Sequence, residues 1–187
     1  MASMWIPSRT NKAVTLVELL ATLAVMAILA IVATPSLATL IQRTRVRSQT
    51  DALLAAFALA RSEAVMRGIP IIVCPGKHGI ACDRAASWHE GWFVAPDPHR
   101  DARRLGTPIW VDQGAGNPSV RGLGTRPYSR FYPDGTSRGH NLTVVFCTVG
   151  KPDSAQAVVL ATSGRARQQA KHAAHAQACA QVPAAGS

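Results

Sequence analysis

In "TSGRARQQAKHAAHAQAC", Gly164, Arg165 and Arg167 stand together with Lys171 close behind, and no carboxylate follows Asp153. Guanidinium groups offer planar, paired donors that match the oxygens of a phosphate. If a strand runs through the segment, Arg165 and Arg167 share one face, because strand side chains alternate. Gly164 lets the chain turn before them. Two such groups side by side can grip successive phosphates, which positions a polyanion without reading its sequence. A solvated basic tail that only adds solubility is the plainer reading.

A second unusual residue is Glu18, the one charge near the start of "VTLVELLATLAVMAILAIVATPSL". An acid inside an apolar span needs a partner, since its insertion costs about 2.5–3.5 kcal/mol at the bilayer centre and less near the edge. An acid snorkelling from a plain anchor would account for it less specifically.

Other constellations point to less chemistry. His172, His175 and Cys179 are three ligand types without a fourth nearby, short of an ordinary zinc set; no metal and no cofactor are expected. No GxSxG or HExxH occurs, and Asp134 and Asp153 are the sole acids after Asp112, so an enzyme is not expected. Trp88, Trp92, Phe131 and Tyr132 could stack on bases, but their strand-like spacing favours a core. Arg100, Arg103 and Arg104 make a second basic patch, diluted by Asp97 and Asp101.

The elements that must hold these groups are legible in outline. From Leu19 to Ile41 there are 23 uncharged residues, enough to cross a bilayer as a helix. Leu53, Phe57, Ala60 and Ala64 recur at helical spacing, as do Leu54, Ala58, Arg61 and Val65, and Gly68 with Pro70 ends the helix near Arg67. Arg43, Arg45, Arg47 and Asp51 lie off that apolar face. Beyond Gly68, "IPIIVC", "WHEGWFVA", "PIWVD", "SRFYPDG", "LTVVFC" and "AQAVVLA" read as short strands. Residues 95 to 127 read mainly as a long loop rich in Pro, Gly and Arg. One long helix followed by strands predicts α+β, with antiparallel sheets packed on the helix.

The chain of 187 residues carries a formal net charge of +10, which suits an anionic partner. Arg9 and Lys12 precede the apolar run and three arginines follow it, a bias that by itself favours the cytoplasm for the domain. The four cysteines at 74, 82, 147 and 179 argue for an oxidising compartment, and four allow three pairings. Cys74 and Cys82 flank a short glycine-containing loop, which suits a local bridge and leaves Cys147 with Cys179.

"KAVTLVELL" resembles the processing site of type IV prepilins and pseudopilins. The resemblance implies cleavage by a prepilin peptidase between Ala13 and Val14, methylation of the new Val14 amine, and Glu18 as the fifth mature residue. Ala13 stands where the family usually has Gly, and Val14 where it has Phe or Met. The amine of one subunit would then neutralise Glu18 of a neighbour, and Pro35 would bend the long helix. Further along, "IIVCPGKHGIAC", "WHEGWFV", "RFYPDGTSRG", "LTVVFC" and "AVVLATSGRAR" resemble, in order, the GspH/FimT branch of minor pilins and pseudopilins. Gly164, Arg165 and Arg167 match the GRxR pattern that FimT-type minor pilins use to bind DNA in natural transformation; secretion pseudopilins can end similarly.

The expected organisation is a leader at 1–13, a helix at 14–67 with its membrane and assembly segment at 14–41, a β-rich domain at 68–163 and a basic tail at 164–187. The expected partners are DNA, other pilins of the filament, the peptidase, and the inner membrane before assembly. The expected location is the inner membrane with a periplasmic domain, then the pilus. A GspH-like role in type II secretion, or a priming subunit that binds no DNA, is the alternative.

Overall fold

A computed structural model describes residues 15–76, 81–83, 85–116, 119–170, 177, 179 and 180, excepting the side chains of 31–36 and 170. Ala13, Val14, Lys171, His172 and His175 lie outside that set, as does the side chain of Pro35.

Helix α1 spans Leu16–Arg67. At its start the Thr15 hydroxyl accepts a hydrogen bond from the Glu18 backbone N–H (3.3 Å), which is helix capping by a threonine three residues ahead of an acid. Glu18 therefore also lies where the helix dipole favours a negative charge. Contacts divide the chain into two units, residues 1–40 and 41–187. In the first, Leu16, Leu20, Val25 and Ile28 are exposed, as are other large apolar side chains. Among the described residues no helix is long and apolar enough to cross a membrane.

The second unit carries eight strands among the described residues: β1 Ile71–Pro75, β2 Trp92–Pro96, β3 Trp110–Asp112, β4 Val120–Gly124, β5 Ser129–Phe131, β6 Leu142–Thr148, β7 Lys151–Leu160 and β8 Ala166–Ala170. They form two antiparallel sheets, ordered β3-β2-β1-β5 and β4-β6-β7-β8. The architecture is α+β, with Leu53, Phe57, Ala60 and Ala64 of α1 buried against both sheets.

Strand alternation explains how so small a unit makes several apolar layers. Ile71, Val73, Trp92, Val94, Val144, Phe146, Val158 and Leu160 face the core shared with α1. Their neighbours point the other way. Ile72, Cys74, Phe93 and Ala95 make a second cluster, and Val145, Cys147, Ala155, Ala157 and Cys179 a third. Disulfides join Cys74 to Cys82 and Cys147 to Cys179, with Cα separations of 5.4 and 6.2 Å.

Two strands differ from the sequence expectation. β4 lies inside the presumed loop of 95–127, because Gly122 and Gly124 lack the side chains that mark a strand. A Cβ on Gly122 would collide with the Phe146 ring and the His89 backbone, so the close packing itself requires glycine. β8 occupies the first part of the segment read as a tail; its Arg-Gln-Gln run shows no apolar alternation.

Candidate nucleic-acid interface

The turn between β7 and β8 positions the basic pair. Gly164 N–H donates to Ala161 O (2.9 Å), and Ala161 N–H donates to Arg165 O (3.0 Å). Gly164 is buried with φ of +77°, and a Cβ there would be driven into the carbonyl oxygen of Gly135. Glycine is required here on two counts, conformation and space. Ser137 N–H donates to Thr162 O (2.9 Å), so the β7–β8 turn is bonded to the 132–137 turn as well as packed on it. That second turn is itself fixed. Asp134 accepts from the Thr136 hydroxyl (2.7 Å) and N–H (3.0 Å) and pairs with Arg138 (2.8 Å). The Thr136 hydroxyl, then its N–H, hold the Asp134 carboxyl below its usual range.

Arg165 immediately precedes β8 and Arg167 lies within it, opposite Val159. Both are exposed, while Ala166 between them is half-buried against the core. The alternation needed for a shared outward face is therefore present. Arg165 also borders a cleft of about 520 Å³ whose opposite wall is α1: Leu54, Phe57, Ala58, Arg61 and Ser62. That volume lies within the usual range for ligand sites, about 300–1,000 Å³. The cleft also explains the second helical row of the sequence. Leu54 is half-buried, while Ala58, Arg61 and Val65 are exposed, so this row lines a rim instead of joining the core.

The charges around the cleft are unbalanced. Among the described residues Asp51 pairs with Arg47, Glu63 with Arg67, Asp101 with Arg104, Asp97 with Arg130, and Asp134 with Arg138. No carboxylate pairs with Arg61, Arg165 or Arg167 among those residues. Arg61 was missed as a candidate because its helical period placed it with apolar neighbours. Its side chain comes within 3.3 Å of where a Gly135 Cβ would stand, which brings it to the same turn that seats Gly164.

The remaining candidates separate. Trp88, Trp92 and Phe131 are buried in the core, but Tyr132 is only half-buried. In the second basic patch, Arg104 is bonded to Asp101 at 3.1 Å, while Arg100 and Arg103 are exposed. Asp97 is not a surface acid diluting that patch: it is fully buried and bonded to Arg130. Glu18 lies in the first unit. Among the described residues no three His, Cys, Asp or Glu side chains converge as metal ligands.

Comparison with known families and structures places the whole. Residues 8–34 match the prokaryotic N-terminal methylation motif. By structure, the chain is similar to the type IV minor pilin FimU of Pseudomonas aeruginosa strain PAO1, with 20% identity, a TM-score of 0.56, and 68% of this chain and 90% of that one covered. It is also similar to the minor pseudopilin EpsH from the type 2 secretion system of Vibrio cholerae, with 11% identity, a TM-score of 0.50, and 67% and 97% covered. At such identities the likeness concerns the fold. Comparison by sequence with curated proteins finds no match. Residues 49–164 match the family described as type II transport protein GspH, a span that runs from α1 to the glycine of the basic turn, and the chain belongs to that family.

Proposed function

We propose that this chain is a minor type IV pilin whose globular domain holds DNA by its phosphates at the Gly164–Arg167 turn, for uptake in natural transformation. The observation that carries the reading is the pair Arg165 and Arg167, exposed on a glycine-seated turn, with Arg61 across the cleft and no carboxylate engaging any of the three among the described residues. Phosphate contacts of this kind give sequence-independent, salt-sensitive binding. Lys171, three residues past Gln168 in the sequence, adds a fourth cation to the same end of the chain.

The N-terminal part supports the filament side of the reading. A prepilin peptidase cuts between Ala13 and Val14, the Val14 amine is methylated, and the apolar side chains exposed along the first unit are covered first by the inner membrane and then by neighbouring pilins. Glu18 pairs with the amine of an adjacent subunit in that packing.

The family description favours a second reading, a minor pseudopilin of type II secretion whose partners are other pseudopilins. One experiment separates the two: DNA binding by the full-length protein, extracted in detergent, across a salt series. The expected result is binding to every sequence tested. Arg165→Gln with Arg167→Gln should weaken it throughout and shrink the slope of log affinity against log salt by about two units, at about 0.9 per phosphate contact. Absence of binding at low salt selects the secretion reading.

A further inference from the structure

Next to the basic turn lies a row of rings that the sequence scatters over thirteen positions, from Tyr128 to His140. The His140 ring is 5.4 Å from Tyr128, tilted by 30°, and 6.2 Å from Tyr132. All three residues are half-buried. Arginines flank the row. The guanidinium carbons of Arg100 and Arg138 each lie 5.8 Å from the Tyr132 ring centre. Arg126, exposed and two residues before Tyr128, is close enough to disfavour a positive charge on His140.

The row is built from beneath. Buried Asp97 accepts from Arg130 Nε (2.8 Å) and pairs with its Nη2 (2.6 Å). The same guanidinium lies 5.5 Å from the Tyr128 ring centre, and its Nη1 is 3.2 Å from His140 Nε2. One buried arginine thus orients two of the three rings. Asp97 also shapes the loop that carries Arg100: its carbonyl accepts the Arg100 N–H (3.1 Å) and its Oδ1 the Ala102 N–H (3.4 Å). Arg100 and Ala102 have φ of +57° and +59°, a left-handed conformation that side-chain-bearing residues seldom adopt. Observed strain of this kind clusters at binding sites. Here it sets a guanidinium over the outermost ring.

Rings and guanidinium planes in a row, rimmed by cations, suit the flat faces of unpaired bases together with their phosphates. In a duplex those faces are hidden. Tyr132 N–H donates to Thr136 O (2.9 Å) in the turn that seats Gly164, so the row and the basic turn adjoin. We infer that Tyr132, His140 and Tyr128, with Arg100, Arg138 and Arg126, form a second binding face that stacks the bases of unpaired DNA. It rests on the proposed DNA-binding role and extends the grip of Arg165 and Arg167 from phosphates to bases.

The test is fluorescence anisotropy of the full-length protein in detergent with a labelled oligothymidylate and with a duplex of equal length. The wild type should bind the single strand more tightly. Arg100→Gly removes a guanidinium and relieves its left-handed strain. It should weaken single-strand binding roughly fivefold or more, the effect of losing one stacked base, while duplex affinity stays unchanged and the melting temperature does not fall. Tyr132→Ser should behave alike in binding, and Tyr132→Phe should retain the wild-type preference. If Arg100→Gly and Tyr132→Ser bind the oligothymidylate as the wild type does, while Arg165→Gln with Arg167→Gln loses both ligands, the ring face is refuted and the phosphate grip stands. If the double glutamine variant loses neither ligand but the ring variants lose the single strand, the phosphate grip is refuted and the ring face stands. Binding of polyglutamate in place of either DNA overturns both and marks the face as a site for acidic peptide.

Discussion

Asp97 and Arg130, thirty-three residues apart in sequence, are joined by two short contacts through one carboxylate oxygen, with side-chain exposures of 0% and 6%. Burial alone would lower the Arg130 pKa, but the hydrogen bond and charge of Asp97, with smaller contributions from Tyr132 and Tyr128, together offset that, and it stands above its ordinary value. Asp97→Asn would keep the shape and strand a guanidinium in a nearly dry position. The expected loss is about 3–5 kcal/mol, measured by chemical denaturation. Adding Arg130→Met should recover part of it, since the uncompensated charge is then gone.

Gly164→Ala should cost more than Gly135→Ala. Both positions have positive φ, at +77° and +73°. At Gly164 the new methyl meets a backbone oxygen, whereas at Gly135 it meets the ends of the Arg61 and Val65 side chains, which can move. A loss of about 1–3 kcal/mol is expected for Gly164→Ala from backbone strain alone. Thermal melts read that, and the displaced Arg165 should show as weaker DNA binding measured well below the melting temperature.

Acid should destabilise the domain through two histidines. Burial, then Arg130 and Arg126, lower the His140 pKa from 6.5 against the opposing pull of Asp97; Tyr128 and Tyr132 are its ring neighbours. Burial, then Arg121, lower that of His89, against Glu90 and a hydrogen bond with Gly122. In both cases the unfolded chain takes up the proton first. Stability is therefore full above pH 6.5 and falls as pH drops through the lower folded values. Melting temperatures taken from about pH 7.5 to about pH 5.5 should decline, and His140→Gln, which keeps an acceptor for Arg130, should flatten the decline. A flat profile for the wild type would count against this.

Glu18 stands in a first turn capped by Thr15, and in the proposed filament its charge pairs with a neighbour's amine. Glu18→Gln keeps a helix-compatible side chain of the same length and removes the charge. Both Glu18→Gln and Glu18→Ala should leave processing intact, shown by an intact mass beginning at Val14, and should lower the amount of protein in sheared filaments. Normal incorporation of Glu18→Gln would count against the proposed charge pairing.

Elements with a strong period were readable in advance. Leu53, Phe57, Ala60 and Ala64 repeat at helical spacing, and all four face the core. β1, β6 and β7 announce themselves by branched residues. β4 does not, because Gly122 serves the packing of its neighbours rather than its own strand, and β8 does not, because it has no apolar side chain larger than alanine. The basic turn was visible as composition, but Arg61 was not, since only the fold brings helix and turn together. Asp97 was misjudged for the same reason: in sequence it stands among surface charges, and its partner lies far along the chain. Thr15 could have been read, for a threonine three residues before a glutamate at the head of an apolar run is a helix-start signature.

Neither disulfide includes a residue of α1. One closes the cluster on the outer face of the first sheet and the other the cluster on the outer face of the second. A tug on the N-terminal end of the helix would thus be resisted by the interlocking of Val46, Leu53, Phe57 and Ala60 with the sheets, and by the single peptide link through Gly68. Each cross-link braces the outer face of its own sheet, and neither fastens α1 to the sheets. Among the described residues the seam between helix and sheets carries no covalent cross-link and is held by apolar packing and by the hydrogen bond from Lys151 to Gln42.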